Sequence, residues 1–355
     1  MQIFRCQNCG NTLFFENTLC ENCGMALGYL PAAGTLSALR PDNELWYALG
    51  DERQGAWRYC SNQQHGVCNW LVEAASVESL CIACRLNRYI PNLNTASQQE
   101  SWRELEFAKH RLVYSLLRLG LPVVSKAARP EEGLAFDFVS GEAAVPEDAE
   151  VTTGHTAGRI TINAAEGDPV AREQMREAMG ERYRTLIGHF RHEVGHYYWD
   201  RLIAPYPDIG ERFRALFGDE RDDYQEALGR HYQTGAPADW QQHFVSRYAS
   251  THPWEDWAET WAHYLHLIDT LETAYAFGLS TTPRGGHPPG MSMQADIDPY
   301  THANFQDMID RYLPLTLAVN SLNRSMGQPD LYPFLLPDAV RSKLQFVHDL
   351  LRNAR

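Results

Sequence analysis

The sequence lacks cysteine after Cys84, and all eight of its cysteines lie at or before that position. It also lacks any uninterrupted apolar run near the roughly 18 residues that a membrane-spanning helix needs. The first residues, Met-Gln-Ile-Phe-Arg-Cys-Gln-Asn-Cys, have no apolar core of the kind found in a signal peptide. Cysteines grouped in this way are typical of metal ligands in a reducing compartment. We therefore expect a cytoplasmic protein without a membrane partner.

Basic side chains are outnumbered, because 31 Lys and Arg residues face 45 Asp and Glu residues, for a formal net charge of −14. Residues 1–95 contain six Arg, no Lys and eight acidic residues. Phosphate binding needs a basic surface, so we expect no nucleic-acid partner. Protein recognition, or packing against the rest of the chain, suits this region better. The 355 residues are 44% hydrophobic, which is enough for two or three domains with a real core.

Residues 1–30 contain two Cys-x-x-Cys pairs, each followed by glycine, and these pairs are Cys6 with Cys9 and Cys20 with Cys23. Four thiolates in two such turns can complete a tetrahedral zinc site. Iron suits the same ligands, and a disulfide would need an oxidising compartment, so zinc is the better assignment. The sequence predicts a zinc ribbon whose folding free energy comes mostly from the metal.

A second cysteine set within residues 31–94 consists of Cys60, Cys68, Cys81 and Cys84. It has one tight pair and one looser pair, and it predicts a second structural zinc site in a small β-rich module. His65 could replace one thiolate, although an exposed loop histidine is the simpler interpretation. The remaining residues, 95–355, are expected to form one further domain.

That domain contains His192-Glu193-x-x-His196 within a helical pattern. Residues four apart share a helix face, so the two imidazoles can bind one Zn²⁺, and Glu193 can act as general base toward a metal-bound water. The alternative is an amphipathic helix with two partly buried histidines. Gly188 and Gly195 argue against it, because each costs a helix interior about 1 kcal/mol relative to Ala. Close approach of a strand or a substrate backbone would compensate for that cost.

A third zinc ligand has to come from elsewhere in the chain. A metzincin needs histidine six residues after His196, and Leu202 stands there. A helix from about Pro253 to Leu271 is the best source. Its expected buried stripe is Trp254, Trp257, Trp261 and Leu265, and its candidate ligands on other positions are Glu255 and Glu259, with Asp256 as a competitor.

Glu255-x-x-Ala-Glu259 after His-Glu-x-x-His resembles the gluzincins of the anthrax lethal factor type. The resemblance implies that Glu255 binds zinc, that Glu259 supports the site from behind the ligands, and that Tyr248 stabilises the transition state. Nearly the whole chain resembles bacterial zinc-binding metallopeptidases with an N-terminal zinc ribbon. This family implies a catalytic zinc and peptide hydrolysis, without naming what is cleaved. We expect a protein or peptide substrate, and the two cysteine sets add two structural zinc ions.

The rest of the pattern predicts an α+β fold, in which β-rich zinc-ribbon modules precede a mostly helical, zincin-like domain. A period-two run at residues 159–163 predicts either the edge strand that pairs with an extended substrate or an ordinary sheet strand. Residues 277–300 are rich in Pro and Gly, which indicates a lid, a specificity loop or disorder. Helices are expected at residues 98–119, at 168–203 with a break near Gly180, and from 303 to the end.

The function predicted from these residues is zinc-dependent peptide hydrolysis, by an endopeptidase. Two other functions remain open. One is a non-enzymatic protein-binding molecule that keeps the zincin fold as a scaffold, which would leave Glu193 without a use. The other is metal-dependent hydrolysis of something other than a peptide.

Overall fold

The computed structural model describes residues 1–51, 55–140, 154–178, 185–285 and 290–353. Within these ranges the chain forms two compact units, residues 1–190 and 191–355. The helices are α1 (Ala96–Arg118), α2 (Pro169–Ala178), α3 (Leu186–Leu202), α4 (Pro207–Phe217), α5 (Tyr224–Thr234), α6 (Trp240–His243), α7 (Pro253–Phe277), α8 (Phe305–Ser325) and α9 (Asp338–Asn353). The strands are β1 (Phe4–Arg5), β2 (Thr12–Leu13), β3 (Ala26–Leu30), β4 (Thr35–Asp42), β5 (Leu45–Ala48), β6 (Ala56–Tyr59), β7 (Leu71–Glu73), β8 (Asn87–Tyr89), β9 (Ala135–Val139), β10 (Gly154–Thr156), β11 (Arg159–Asn163), β12 (Ser280–Thr281) and β13 (Met293–Gln294).

Two cysteine turns of the same shape open the first unit. The Gly10 N–H donates to Cys6 O, and the Gly24 N–H donates to Cys20 O, each at 2.8 Å. The two glycines have φ values of 76° and 71°, a left-handed conformation that glycine adopts without steric cost. The repeated Cys-x-x-Cys-Gly sequence therefore folds twice into the same metal-binding turn.

An antiparallel meander in the order β3-β4-β5-β6-β7 follows the two cysteine turns. Its inward side chains form a compact apolar cluster of Leu30, Leu39, Ala48, Trp57 and Leu71. The boundary that we predicted between the first two modules, at residues 30 and 31, falls in the turn between β3 and β4. The meander thus takes residues from both predicted modules.

The mixed sheet β10-β11-β9-β8 completes the strands of this unit. Strand β11 pairs in parallel with β9 along its length, and β10 covers its other side by antiparallel pairing over residues 159–161. The expectation that β11 is an edge strand for a substrate is therefore wrong. The alternating pattern of β11 indicates a sheet strand but does not distinguish an edge strand from an interior one, because side chains alternate between the two faces in both.

Helix α1 begins and ends close to the predicted bounds of residues 98 and 119. Thr95 caps it, because its hydroxyl accepts from the Gln98 N–H at 3.2 Å while the Gln98 side chain accepts from the Thr95 N–H at 3.1 Å. This reciprocal pair satisfies two backbone donors that the helix cannot satisfy itself. The helix buries an apolar face, with Leu105 and Leu112 fully covered.

Helix α7 is the central helix of the second unit, and it runs six residues beyond the predicted end. Pro253 occupies its first turn, and Nδ1 of His252 accepts from the Trp254 N–H at 3.1 Å. Trp257 and Trp261 are fully buried as expected, whereas Trp254 is only half-buried. The interior of this unit is therefore packed around Trp257 and Trp261, which follow the capped first turn of α7.

The Pro- and Gly-rich region at residues 277–300 contains the antiparallel pair β12 and β13 on either side of four undescribed residues, 286–289. The predicted helix break near Gly180 also lies outside the described residues. Where the chain is described, no helix combines the length and the apolar character that a membrane crossing would require.

Helices α3 and α7 approach each other closely at Gly195. A Cβ added there would lie 3.2 Å from the Ala258 Cα and 3.1 Å from the Trp261 ring. The indole N–H of Trp257 donates to the Gly195 carbonyl at 2.8 Å. The close packing of α7 thus accounts for the glycine without the strand or substrate that we expected opposite it.

Gly195→Ala is predicted to lower stability by about 1 kcal/mol, because overpacking a core typically costs about 1–3 kcal/mol and exceeds the helix-propensity gain of up to about 1 kcal/mol. The control is Gly229→Ala within α5, where an added Cβ meets nothing within 4 Å. That variant should be neutral or more stable. Chemical denaturation of both proteins checks this, and equal effects would show that close packing does not explain Gly195.

Candidate metal centres and active site

Four groups of possible metal ligands occur among the described residues, and within each group the donor atoms all lie within 4.8 Å of one another. Two groups consist of thiolates only. A third combines a cysteine of the second group with two residues of α1, and the fourth joins α3 to α7. They are Cys6-Cys9-Cys20-Cys23, Cys60-Cys68-Cys81-Cys84, Cys84-Glu106-His110 and His192-His196-Glu255.

The first thiolate group draws one pair from each cysteine turn. Cys6 Sγ lies 3.7 Å from Cys23 Sγ, and Cys9 Sγ lies 3.6 Å from Cys20 Sγ. All eight cysteines are free, and these separations far exceed a disulfide bond of about 2.05 Å. The Asn8 side chain, by hydrogen bonding, lowers the pKa of Cys23 to about 6, which favours a thiolate ligand. Four sulfurs so arranged fit a tetrahedral metal ion.

The second thiolate group is entirely buried. Backbone N–H groups point at its sulfurs, since the Cys81 N–H donates to Cys60 Sγ at 3.3 Å and the Cys84 N–H donates to Cys81 Sγ at 3.4 Å. Such bonds offset part of the negative charge of thiolate ligands. His65 is exposed and belongs to none of the ligand groups. The four cysteines alone therefore account for this site.

Helix α1 forms one wall of the second thiolate group, a feature that the sequence analysis missed. His110 Nε2 lies 3.7 Å from Cys84 Sγ and 3.9 Å from Cys81 Sγ, while its Nδ1 donates to Glu106 O at 2.6 Å. Lys109 forms a fully buried ion pair with Glu106 at 2.9 Å. Three polar residues within about one turn of an otherwise apolar helix face, Glu106, Lys109 and His110, were the available signal.

Helix α3 presents His192 and His196 on one face, as its spacing predicts, and α7 supplies Glu255 opposite them. Glu255 Oε2 lies 3.0 Å from His192 Nε2 and 3.6 Å from His196 Nε2. This oxygen is buried and makes no hydrogen bond. A buried carboxylate oxygen aimed at two imidazole nitrogens fits a bound cation, and the donor set is one that zinc uses.

The competing carboxylates of α7 lie apart from this group. Glu259 Oε1 accepts from His192 Nδ1 at 2.8 Å, and its Oε2 accepts from Ser246 Oγ at 2.6 Å. Asp256 pairs with Lys343 at 2.6 Å. The first contact leaves the Nε2 of His192 as its outward-facing ligand atom, since the other ring nitrogen carries the donated proton.

The later histidines of α7 also have other partners. Nδ1 of His263 is 2.7 Å from the Tyr332 hydroxyl, and Nδ1 of His266 accepts from Arg191 at 2.5 Å. Burial lowers the pKa of His263 to about 4. Both histidines thus belong to the packing beneath the site, in agreement with their omission from the predicted ligands.

Electrostatics at the three-residue group favours a positive ion. Burial opposes ionisation of Glu255, yet the neighbouring imidazoles hold the pKa of this carboxyl well below its usual range. Burial likewise opposes ionisation of Glu259, but His192 lowers its pKa to about 2. The same two carboxylates raise the pKa of His192 against the effect of its burial. Two ionised carboxylates around one imidazole are what a cation would neutralise.

The other predicted site residues lie around this group. Glu193 follows His192 on α3 and is 8% exposed, and the Tyr248 ring lies 5.9 Å from the His192 ring. Trp254 packs on His196, with ring centroids 4.2 Å apart. Tyr224 also reaches the group, which the sequence analysis did not foresee, because no local spacing connects α5 to α7.

Residues 98–350 of the chain match the family described as "Putative zinc-binding metallo-peptidase", and residues 3–95 match a zinc-ribbon domain. The chain belongs to this metallopeptidase family. The resemblance recognised from the motifs is confirmed at this level, and so is the α+β fold of a zinc-ribbon module followed by a mostly helical domain.

The chain is also 44% identical over 352 residues to an uncharacterized protein of Mycobacterium tuberculosis and to one of Mycobacterium bovis. These alignments cover 99% of this chain and 95% of each relative. No solved structure gives a significant match. Zinc binding by the chain is therefore supported both by its families and by its cysteine groups.

Glu255→Ala is predicted to weaken zinc binding at the His192 group more than Glu259→Ala does. The first change removes a candidate ligand, whereas loss of a hydrogen-bond partner behind a ligand typically costs about 10- to 100-fold in affinity. Competition with a chelator measures the zinc affinity of both variants, and elemental analysis gives their zinc content per chain. We expect up to three zinc ions in the unaltered protein. The reverse order of affinities would exchange the roles of the two glutamates.

Proposed function

We propose that the protein is a zinc-dependent endopeptidase whose catalytic ion is held by His192, His196 and Glu255. The observation that supports this most is the unbonded Glu255 Oε2, buried against both imidazoles. Zinc in such a three-ligand site supplies a Lewis acid and lowers the pKa of a bound water to about 7.

Glu193 is the proposed general base. It follows a ligand on α3 and is largely shielded from solvent. A purely structural zinc site would have no use for its carboxylate. Its carboxylate accepts a proton from the attacking water and returns it to the leaving amine, so that a poor leaving group departs neutral. This base distinguishes an enzyme from a non-enzymatic protein that keeps the fold.

Tyr248 is the proposed donor to the oxygen of the scissile carbonyl. Its half-buried ring lies beside His192, and burial, with the charge of Glu255 next in effect, raises the pKa of its hydroxyl. The hydroxyl therefore stays protonated at neutral pH and can donate to developing negative charge. Glu259 holds the His192 ring from behind.

The two thiolate groups are proposed to bind one structural zinc each, which gives three zinc ions with the catalytic one. The ribbon region, with no lysine before residue 95, is proposed to contact a protein substrate or partner, and nucleic acid and membrane are not expected partners. We propose a cytoplasmic location, where reduced cysteines persist.

Glu193→Gln is predicted to retain zinc and to lose about 10²- to 10⁴-fold in turnover, because it removes the base and leaves all ligands in place. Cleavage of a diverse peptide library, followed by mass spectrometry with and without chelator, gives the readout. Glu226→Gln is the matched control, since that glutamate is exposed on α5. Unchanged cleavage by Glu193→Gln would refute the mechanism, and absence of cleavage by the unaltered protein would favour the non-enzymatic function.

Tyr248→Phe is predicted to lower kcat by about 10²- to 10³-fold, as loss of one donor to a developing oxyanion typically does. Zinc content and KM should change little, because the contact forms mainly when charge develops. Steady-state kinetics on a peptide identified in the library test this. A kcat within about twofold of the unaltered protein, with a lower melting temperature, would assign Tyr248 to packing only.

A further inference from the structure

Tyr224 touches the candidate zinc ligand from an element that the proposed mechanism does not use. It is the first residue of α5, and its hydroxyl donates to Glu255 Oε1 at 2.7 Å. The Asp223 carboxylate caps this helix by accepting from the Glu226 N–H at 2.9 Å. The cap fixes where α5 begins, and thereby fixes the position of the tyrosine beside it.

The two oxygens of Glu255 therefore have different surroundings. Oε2 faces His192 Nε2 and His196 Nε2, whereas Oε1 is occupied by the Tyr224 hydroxyl. A carboxylate whose oxygens were equivalent could bind a cation through both. With one oxygen already accepting a hydrogen bond, ligation through the other alone is favoured, which leaves more room around the ion for water and substrate.

The chemistry of the partner fixes the direction of the Tyr224 hydrogen bond. An ionised carboxylate only accepts, so the Tyr224 O–H must be the donor to Glu255. The Tyr224 hydroxyl thus orients a candidate zinc ligand.

The Tyr224 ring is held independently of its hydroxyl. It packs edge-on against His252 at 5.3 Å and against Trp254 at 6.3 Å between ring centroids. Replacement of Tyr224 by phenylalanine keeps these ring contacts and removes only the hydrogen bond to Glu255. The role of the hydroxyl can therefore be measured apart from the role of the ring.

We propose that Tyr224 is a positioning residue that restricts Glu255 to one-oxygen ligation of the metal. The inference rests on the proposed role of Glu255 as a zinc ligand. Tyr224 itself touches neither the metal nor the reacting atoms, and acts through the Glu255 side chain that it binds.

The test is Tyr224→Phe, with Tyr232→Phe as a matched control on the same helix, because Tyr232 is 74% exposed. Chelator competition should show zinc affinity at the His192 group reduced by about 10-fold or more in Tyr224→Phe and unchanged in the control. The visible spectrum of Co²⁺ bound at this group should shift in Tyr224→Phe, because the coordination of Glu255 changes. Circular dichroism of the zinc-loaded proteins checks that both variants fold.

The combination with Glu255→Ala separates positioning from general stability. If Tyr224 acts through Glu255, then adding Tyr224→Phe to Glu255→Ala should change zinc affinity by less than twofold. A full additional loss in that background, or an unchanged affinity and Co²⁺ spectrum in Tyr224→Phe alone, would overturn the inference. Because metal binding is the readout, the inference can hold even if no peptide is cleaved, and peptide cleavage can hold if the inference fails.

Discussion

The close contact between α3 and α7 at Gly195 is the constraint on which the candidate active site depends. A Cβ at this position would lie 3.2 Å from the Ala258 Cα, so the two helices could keep their present separation only with a small shift. The Trp257 indole fixes the same contact by bonding to the glycine carbonyl. The contact places His192 and Glu255, far apart in sequence, within reach of one ion. A residue with no functional group thus determines the geometry of those that have one.

Helix α7 carries three carboxylates that are largely removed from water near its start, and each has its own partner. Glu255 faces the imidazoles of α3, Asp256 pairs with Lys343, and Glu259 accepts from His192. Removing a charge from water costs several kcal/mol unless a partner compensates it. The partners come from different elements, which gives each carboxylate a distinct direction. This separation explains how Glu255 and Glu259 can flank one imidazole while the neighbouring Asp256 is neutralised elsewhere.

The cysteine-rich region obtains its order differently. Its first strand pair, β1 with β2, has only two residues in each strand, whereas each thiolate group brings four cysteines together. Metal binding can supply folding free energy in such segments. The second group is joined to α1 through His110, whose ring faces two of its sulfurs. A metal-binding module and a long helix are therefore connected by a buried polar contact, within the same compact unit.

The sequence by itself determined what depends on local spacing: the α+β fold, the thiolate groups, the shared face of His192 and His196, and helices bounded by their own capping residues. Most of these features follow from spacings within a turn or two of the chain, and each thiolate group combines cysteine pairs that one metal ion can join. Local spacing left Glu255, Asp256 and Glu259 as candidates, the family resemblance favoured Glu255, and the packing of α7 against α3 turns Glu255 toward the imidazoles. Tertiary structure alone decided that β11 lies inside its sheet and that Tyr224 reaches the site. Each of these features depends on which distant element packs alongside and on how that packing orients a side chain. The local periodicity of the sequence contains neither kind of information.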